Sequence, residues 1–120
     1  MSQIIFNEIS AAEISAMPTM QQLDLLAEFK VSPDDLENLD EHRFGKLERD
    51  GKTLYRYRAN EMRIYFELEG ESVIVHRVLH KNTFQDFLYR ASLPISEDEE
   101  LANAGGFWEL IEEGERARRV

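Results

Sequence analysis

The spacing of apolar residues changes period along the chain, and that change divides it. Gln3 to Phe6 (QIIF) is a short apolar run that predicts a first strand. Ile9, Ala12, Ile14 and Met17 then fall near helical spacing, with Asn7 or Ser10 available as the N-cap. Pro18 ends that segment and suits the first turn of a second helix. From Thr19 the helical pattern is strong. Met20, Leu23, Leu25, Leu26 and Phe29 fall mainly on one face, and Gln21, Gln22, Asp24 and Glu28 mostly on the other. This predicts an amphipathic helix lying on a sheet. A shorter helix follows, with Ser32 as N-cap, Pro33 at N1, and Asp34 and Asp35 in the first turn, where they favour the helix dipole.

From Phe44 the period becomes two. Phe44 to Arg49 reads as a strand that reaches a hairpin signal at Asp50-Gly51. Leu54 to Arg58 alternates, with Tyr55 and Tyr57 on one face and Leu54, Arg56 and Arg58 on the other. Arg63 to Leu68 is apolar and aromatic, and Ser72 to Leu79 is the most continuous apolar run, the expected central strand. The short polar turns between them predict an antiparallel meander. Asn82 can cap a helix over Thr83 to Arg90. Pro94 closes this unit, so residues 1–93 are expected to form one domain and 94–120 an acidic C-terminal helical extension. Within that extension Phe107 to Arg119 is helical in pattern, acids precede arginines, and Glu112 and Arg116 lie at i,i+4. The expected fold class is α+β: an antiparallel sheet of three to five strands, N-terminal helices packed on one face, and the C-terminal helical extension.

Composition narrows the function. A chain of 120 residues builds one hydrophobic core without a metal or disulfide. The lack of cysteine excludes thiol catalysis and thiolate metal sites, and leans toward the cytoplasm. MSQIIFNEIS lacks the pattern of a secretory leader, and no apolar run approaches the ~20 residues of a membrane helix. The acid-rich run Asp34 to Glu41 lacks the glycine and alternating ligands of a calcium loop, and first-turn acids account for it. No metal and no cofactor is expected. Net charge is −10, but it is unevenly spread: residues 1–43 carry −7, residues 44–93 carry +2 and residues 94–120 carry −5. A mildly basic centre is thus flanked by acidic ends.

The residues of that centre carry a resemblance. Lys46-Leu47, then Tyr55-Arg56-Tyr57-Arg58, a turn, Arg63-Ile64-Tyr65-Phe66-Glu67, a turn, and Val73 to Val78 resemble the RelE/ParE toxin superfamily of toxin–antitoxin systems. The likeness covers residues 3–92 by element order and is residue-specific over about 44–90. It implies a RelE/ParE-like fold and a cytoplasmic translation repressor of a stress-response module. Such a toxin is a ribosome-dependent mRNA endoribonuclease that works without metal and is neutralised by a cognate antitoxin. The alternative it implies is a non-catalytic RelE-fold protein acting by protein–protein binding, with an antitoxin partner or as a ParE-like gyrase inhibitor. Partners on the first reading are the antitoxin and the ribosome with its mRNA, with no membrane and a possible homodimer.

The nuclease chemistry is attack of a ribose 2′-hydroxyl on the adjacent phosphate, which needs a base, an acid and positive charge on the phosphate oxygens. By resemblance the catalytic candidates are Arg56, Arg63, His80, Lys81 and Tyr89, and the RNA-binding candidates are Lys46, Arg58 and Arg77. Leu54 stands where a second lysine is common, and Met62 where the turn carries an aromatic residue. Other roles are open for several of these residues. Strand arginines also solvate and protect a sheet. His76, inside a strand, suits packing, and Tyr89 suits a core. Phe107 and Trp108 suit either a docking element or a cap on the domain's own core. The acidic tail has two readings: it folds over the basic face as an antitoxin would, or the scaffold serves binding alone.

Overall fold

The computed structural model describes residues 3–40, 42–84 and 97–120. Its elements follow the change of period: β1 (Ile4–Phe6), α1 (Glu8–Ser15), α2 (Thr19–Glu28), α3 (Pro33–Glu37), β2 (Phe44–Arg49), β3 (Lys52–Ala59), β4 (Met62–Glu69), β5 (Ser72–His80), a 3-10 turn (Lys81–Phe84), α4 (Glu97–Ala102) and α5 (Gly105–Arg116). The expected caps of α1 and α3 form. Asn7 and Ser10 make a reciprocal capping box on α1, and Ser32 and Asp35 make one on α3. The β2–β3 turn has Asp50 and Gly51 both at positive φ, 52° and 79°, as a tight hairpin requires. The expected helix over 83–90 lies almost wholly outside the described residues, as does the boundary at Pro94.

The sheet has five strands in the order β1-β5-β4-β3-β2. β2 to β5 form the antiparallel meander. β1 differs from the expectation of a wholly antiparallel sheet: it pairs parallel to β5, Ile4 opposite Val73 and Phe6 opposite Val75. A three-residue apolar run gives no sign of its partner or direction. The chain between β1 and β5 runs through α1–α3 and the β2–β4 meander, which is long enough for a parallel pairing. The last residues then cover the outer edge of β1, where the Val120 N–H donates to the Phe6 carbonyl and Asn7 forms an antiparallel bridge with Arg119.

Alternation sorts the side chains onto two faces, and each face has its own core. Phe44, Tyr57, Ile64, Phe66 and Val75 face α1–α3 and pack with Leu25 and Phe29. Leu47, Leu54, Tyr65 and Leu79 face the other way and pack with Leu101 of α4 and Phe107, Trp108 and Ile111 of α5. The C-terminal helices therefore complete a helix–sheet–helix sandwich. Phe107 and Trp108 are buried in it, which agrees with the reading of this pair as a core cap. Burying those four helix side chains stabilises the contact by roughly 6–12 kcal/mol.

In β5 the alternation breaks at a bulge. Tyr65 pairs with Arg77 and Phe66 with Val75, so His76 is the extra residue. α5 comes close to the strand there. A Cβ on Gly114 would collide with the His76 carbonyl. The buried Asn7 amide ties the three segments together, donating to the carbonyls of Val75 (3.2 Å), His76 (3.0 Å) and Gly114 (2.9 Å).

Candidate functional site

The candidate residues divide between the two faces of the sheet. Arg56 and Arg58 on β3 and Arg63 at the start of β4 project toward α4, because they share parity with Leu54 and Tyr65. Arg56 is 1% exposed, although it is charged. It is matched in a fork by Asp98, with Nε to Oδ1 and Nη2 to Oδ2 both at 3.0 Å. Its Nη1 donates to the Arg43 carbonyl at 3.4 Å. Gly45 of β2 makes room for this pair, since a Cβ there would collide with both Arg56 and Asp98.

Arg63 is also buried. It donates to Glu97 Oε1 at 3.3 Å and, through Nη1, to the carbonyls of Asn60 (2.9 Å) and Met62 (3.0 Å). Arg58 Nη2 lies 3.7 Å from Glu97 Oε2. The first turn of α4 thus sets two carboxylates against three arginines. Tyr65, beneath them, has its hydroxyl pKa pushed well above the usual value, first by burial and then by the charges of Glu97 and Asp98.

His80 lies on the opposite face. It pairs with Met62 across β4–β5, while the neighbouring pair, Arg63 with Leu79, faces α4 and α5. Its Nδ1 accepts the Asn82 N–H at 3.0 Å, which leaves Nε2 to carry the proton toward Glu61 Oε2 at 3.1 Å. Lys81 reaches the same carboxylate at 3.7 Å. The Glu61 carboxyl is held below its usual pKa, first by the His80 hydrogen bond and then by the Lys81 charge.

His80 borders a cleft of about 270 Å³ between α2 and the β3–β4 turn, lined by Met17, Asp24, Leu25, Glu28 and Met62 among others. Among the described residues no lysine or arginine lines it. On its rim Tyr57 donates to Glu28 at 2.7 Å.

The other candidates are dispersed. Lys46 pairs across the sheet with Tyr55, on the face away from Arg56, and its ammonium lies 3.1 Å from Glu48. Arg77 is engaged by Glu13 of α1 (Nη2 to Oε2, 2.9 Å) and by the Leu110 carbonyl and Glu113 of α5. Glu13 also accepts the Val78 N–H at 3.0 Å, just beyond the stretch of β5 that β1 covers. Tyr89 lies outside the described residues. The structure therefore brings together Arg56, Arg58 and Arg63, and separately His80 and Lys81, but not the two groups.

Sequence reasoning did not single out Glu97, Asp98 or Gly45, and it marked Asn7 only as a helix cap, not as a buried tie between strand and helix. The glycine inside a strand was the one available signal, since it marks a close approach.

α2 differs from its expected role as well. Leu25 is buried, but Met20, Leu23 and Leu26 are 68%, 57% and 47% exposed. The helix touches the core along one edge only, so the rest of its apolar face meets solvent beside the cleft. Among the described residues no helix is long and apolar enough to cross a membrane. No protein-family profile, curated protein or solved structure matches the chain.

Proposed function

We propose that this chain is a RelE-like scaffold that acts by protein–protein contact and carries no nuclease chemistry. One observation carries the reading: Arg56, Arg58 and Arg63 face Glu97 and Asp98 under α4, where a transition-state phosphate would need to lie. A ribonuclease needs its arginines and its acid or base on one phosphate. Here His80 and Lys81 are on the far side of the sheet, beside an acidic cleft. Magnitude also favours a permanent cover. Moving an equilibrium from 1:99 to 99:1 takes a differential affinity of about 5.5 kcal/mol, and lifting α4 and α5 forfeits roughly 6–12 kcal/mol of apolar burial before any charge is unpaired.

The contact surface on this reading is the exposed apolar side of α2 with the adjoining cleft. Met20, Leu23 and Leu26 offer the apolar stripe, and Asp24, Glu28 and Glu61 supply a negative border. The complementary partner is an antitoxin-like protein presenting a basic amphipathic helix. The test is expression in bacteria of the wild type and of the E97Q/D98N variant, which removes the covering charges while leaving the apolar core. Both are expected to be harmless and to leave messages intact. Growth arrest with cleaved messages, abolished by Arg63→Ala, would establish the nuclease instead. Co-purification with the product of an adjacent gene, lost on Leu23→Glu, is the positive result. Retention of that partner by Leu23→Glu would remove α2 as the contact.

A further inference from the structure

We propose that Glu67, His76 and Glu115 form a binding site for a divalent transition metal, with zinc the best fit to the ligand types. The three come from β4, β5 and α5, and their ligand atoms lie within 4.8 Å of one another. The β5 bulge places His76 under α5, and Gly114 lets the helix approach closely enough for Glu115, the next residue, to reach the same spot.

The site is built rather than a chance cluster of acids. His76 is only 5% exposed, and its Nε2 is buried with no hydrogen-bond partner among the described residues. That atom lies 3.5 Å from Glu67 Oε2, beyond the optimum for a hydrogen bond. Ligand atoms on a tetrahedral zinc with bonds of ~2.1 Å stand about 3.4 Å apart. The His76–Glu67 spacing already meets that value, and Glu115 needs a side-chain movement of roughly an ångström.

Lys52 is the resident cation. Its Nζ lies 3.2 Å from Glu67 Oε1 and also contacts Glu115. It neutralises one of two carboxylate charges and leaves the imidazole nitrogen unserved. A divalent ion would neutralise both carboxylates and use that nitrogen as well. The Lys52 side chain is 36% exposed on a flexible stem, so it can swing into solvent when a metal enters. An imidazole with two carboxylates favours zinc over calcium or magnesium, which prefer all-oxygen sites. Three protein ligands leave a fourth position for water. A metal there would bridge α5 to the sheet.

The test is titration of the full chain, after dialysis against a chelator, with zinc ions by calorimetry and with cobalt(II) by visible absorption. The expected result is one saturable site, four-coordinate by its cobalt spectrum, with a zinc-dependent rise in melting temperature. Glu115→Gln lies near the surface and keeps the fold; it should weaken binding about tenfold or more. Lys52→Met removes the competing cation and should tighten binding by a similar factor. The H42A/H80A variant should bind as the wild type does. Absence of saturable binding to the wild type overturns the site, as does binding that survives Glu115→Gln or is lost in H42A/H80A.

Discussion

The charged residues beneath α4 show how a single side chain depends on its counterion. Arg56 is buried as deeply as the core leucines, and Asp98 meets its charge there in a fork. Asp98→Ala would take the carboxylate fork away from a buried guanidinium and is expected to cost about 3–5 kcal/mol in denaturant unfolding. The paired R56M/D98N variant should recover most of that loss, because the buried guanidinium and its carboxylate partner are removed together. Gly45→Ala is expected to cost roughly 1–3 kcal/mol although it adds only a methyl group, since the added carbon overlaps the same pair.

Tyr65 contributes a loss of stability at alkaline pH, in the same direction as Tyr57, whose hydroxyl pKa burial also raises. Its folded pKa is raised well above 10.0 by burial and by Glu97 and Asp98. Above pH ~10 the unfolded chain releases the phenolic proton while the folded chain keeps it, so the folded state binds more protons and stability falls as pH rises. Alkaline unfolding curves should therefore flatten in Tyr65→Phe relative to the wild type. An unchanged slope would mean that another group dominates.

The elements differ in how fully their apolar faces are used. α5 commits its face to the sheet, and Phe107→Ala is expected to lower stability by about 3–5 kcal/mol. α2 is the opposite case. Leu23→Glu, on its exposed side, should change stability by no more than about 0.5 kcal/mol while abolishing partner capture. A large loss of stability in this variant would show that the stripe belongs to the protein's own core.

Much of this division was legible in the sequence. Ser32-Pro33-Asp34 marked the start of α3, Asp50-Gly51 marked the β2–β3 hairpin, and the alternation in Leu54–Arg58 put Leu54 and Arg56 on the face opposite Tyr57. The helical spacing of α2 was equally clear, but amphipathicity does not say how much of a face a fold will cover. The β5 bulge was hidden because His76 sits within an otherwise continuous apolar run. The parallel pairing of β1 was hidden because three apolar residues carry no directional information.

For the whole molecule, the charge asymmetry of the sequence has a structural counterpart. The basic centre and the acidic end meet within one core, with Arg56, Arg58 and Arg63 against Glu97 and Asp98. Arginines in strands were readable as an anion-binding face. Their partners were not, because they lie about 40 positions away in a run that reads locally as a solvated helix start. A net charge of −10 adds long-range repulsion from any RNA. The central claim, a basic face closed by the chain's own acids and unavailable for nuclease work, is tested most directly by one measurement. Purified protein is added to translating ribosomes, and message cleavage is read by primer extension for the wild type and E97Q/D98N. Intact message is expected in both. Codon-aligned cuts by either protein, lost on Arg63→Ala, would contradict that claim.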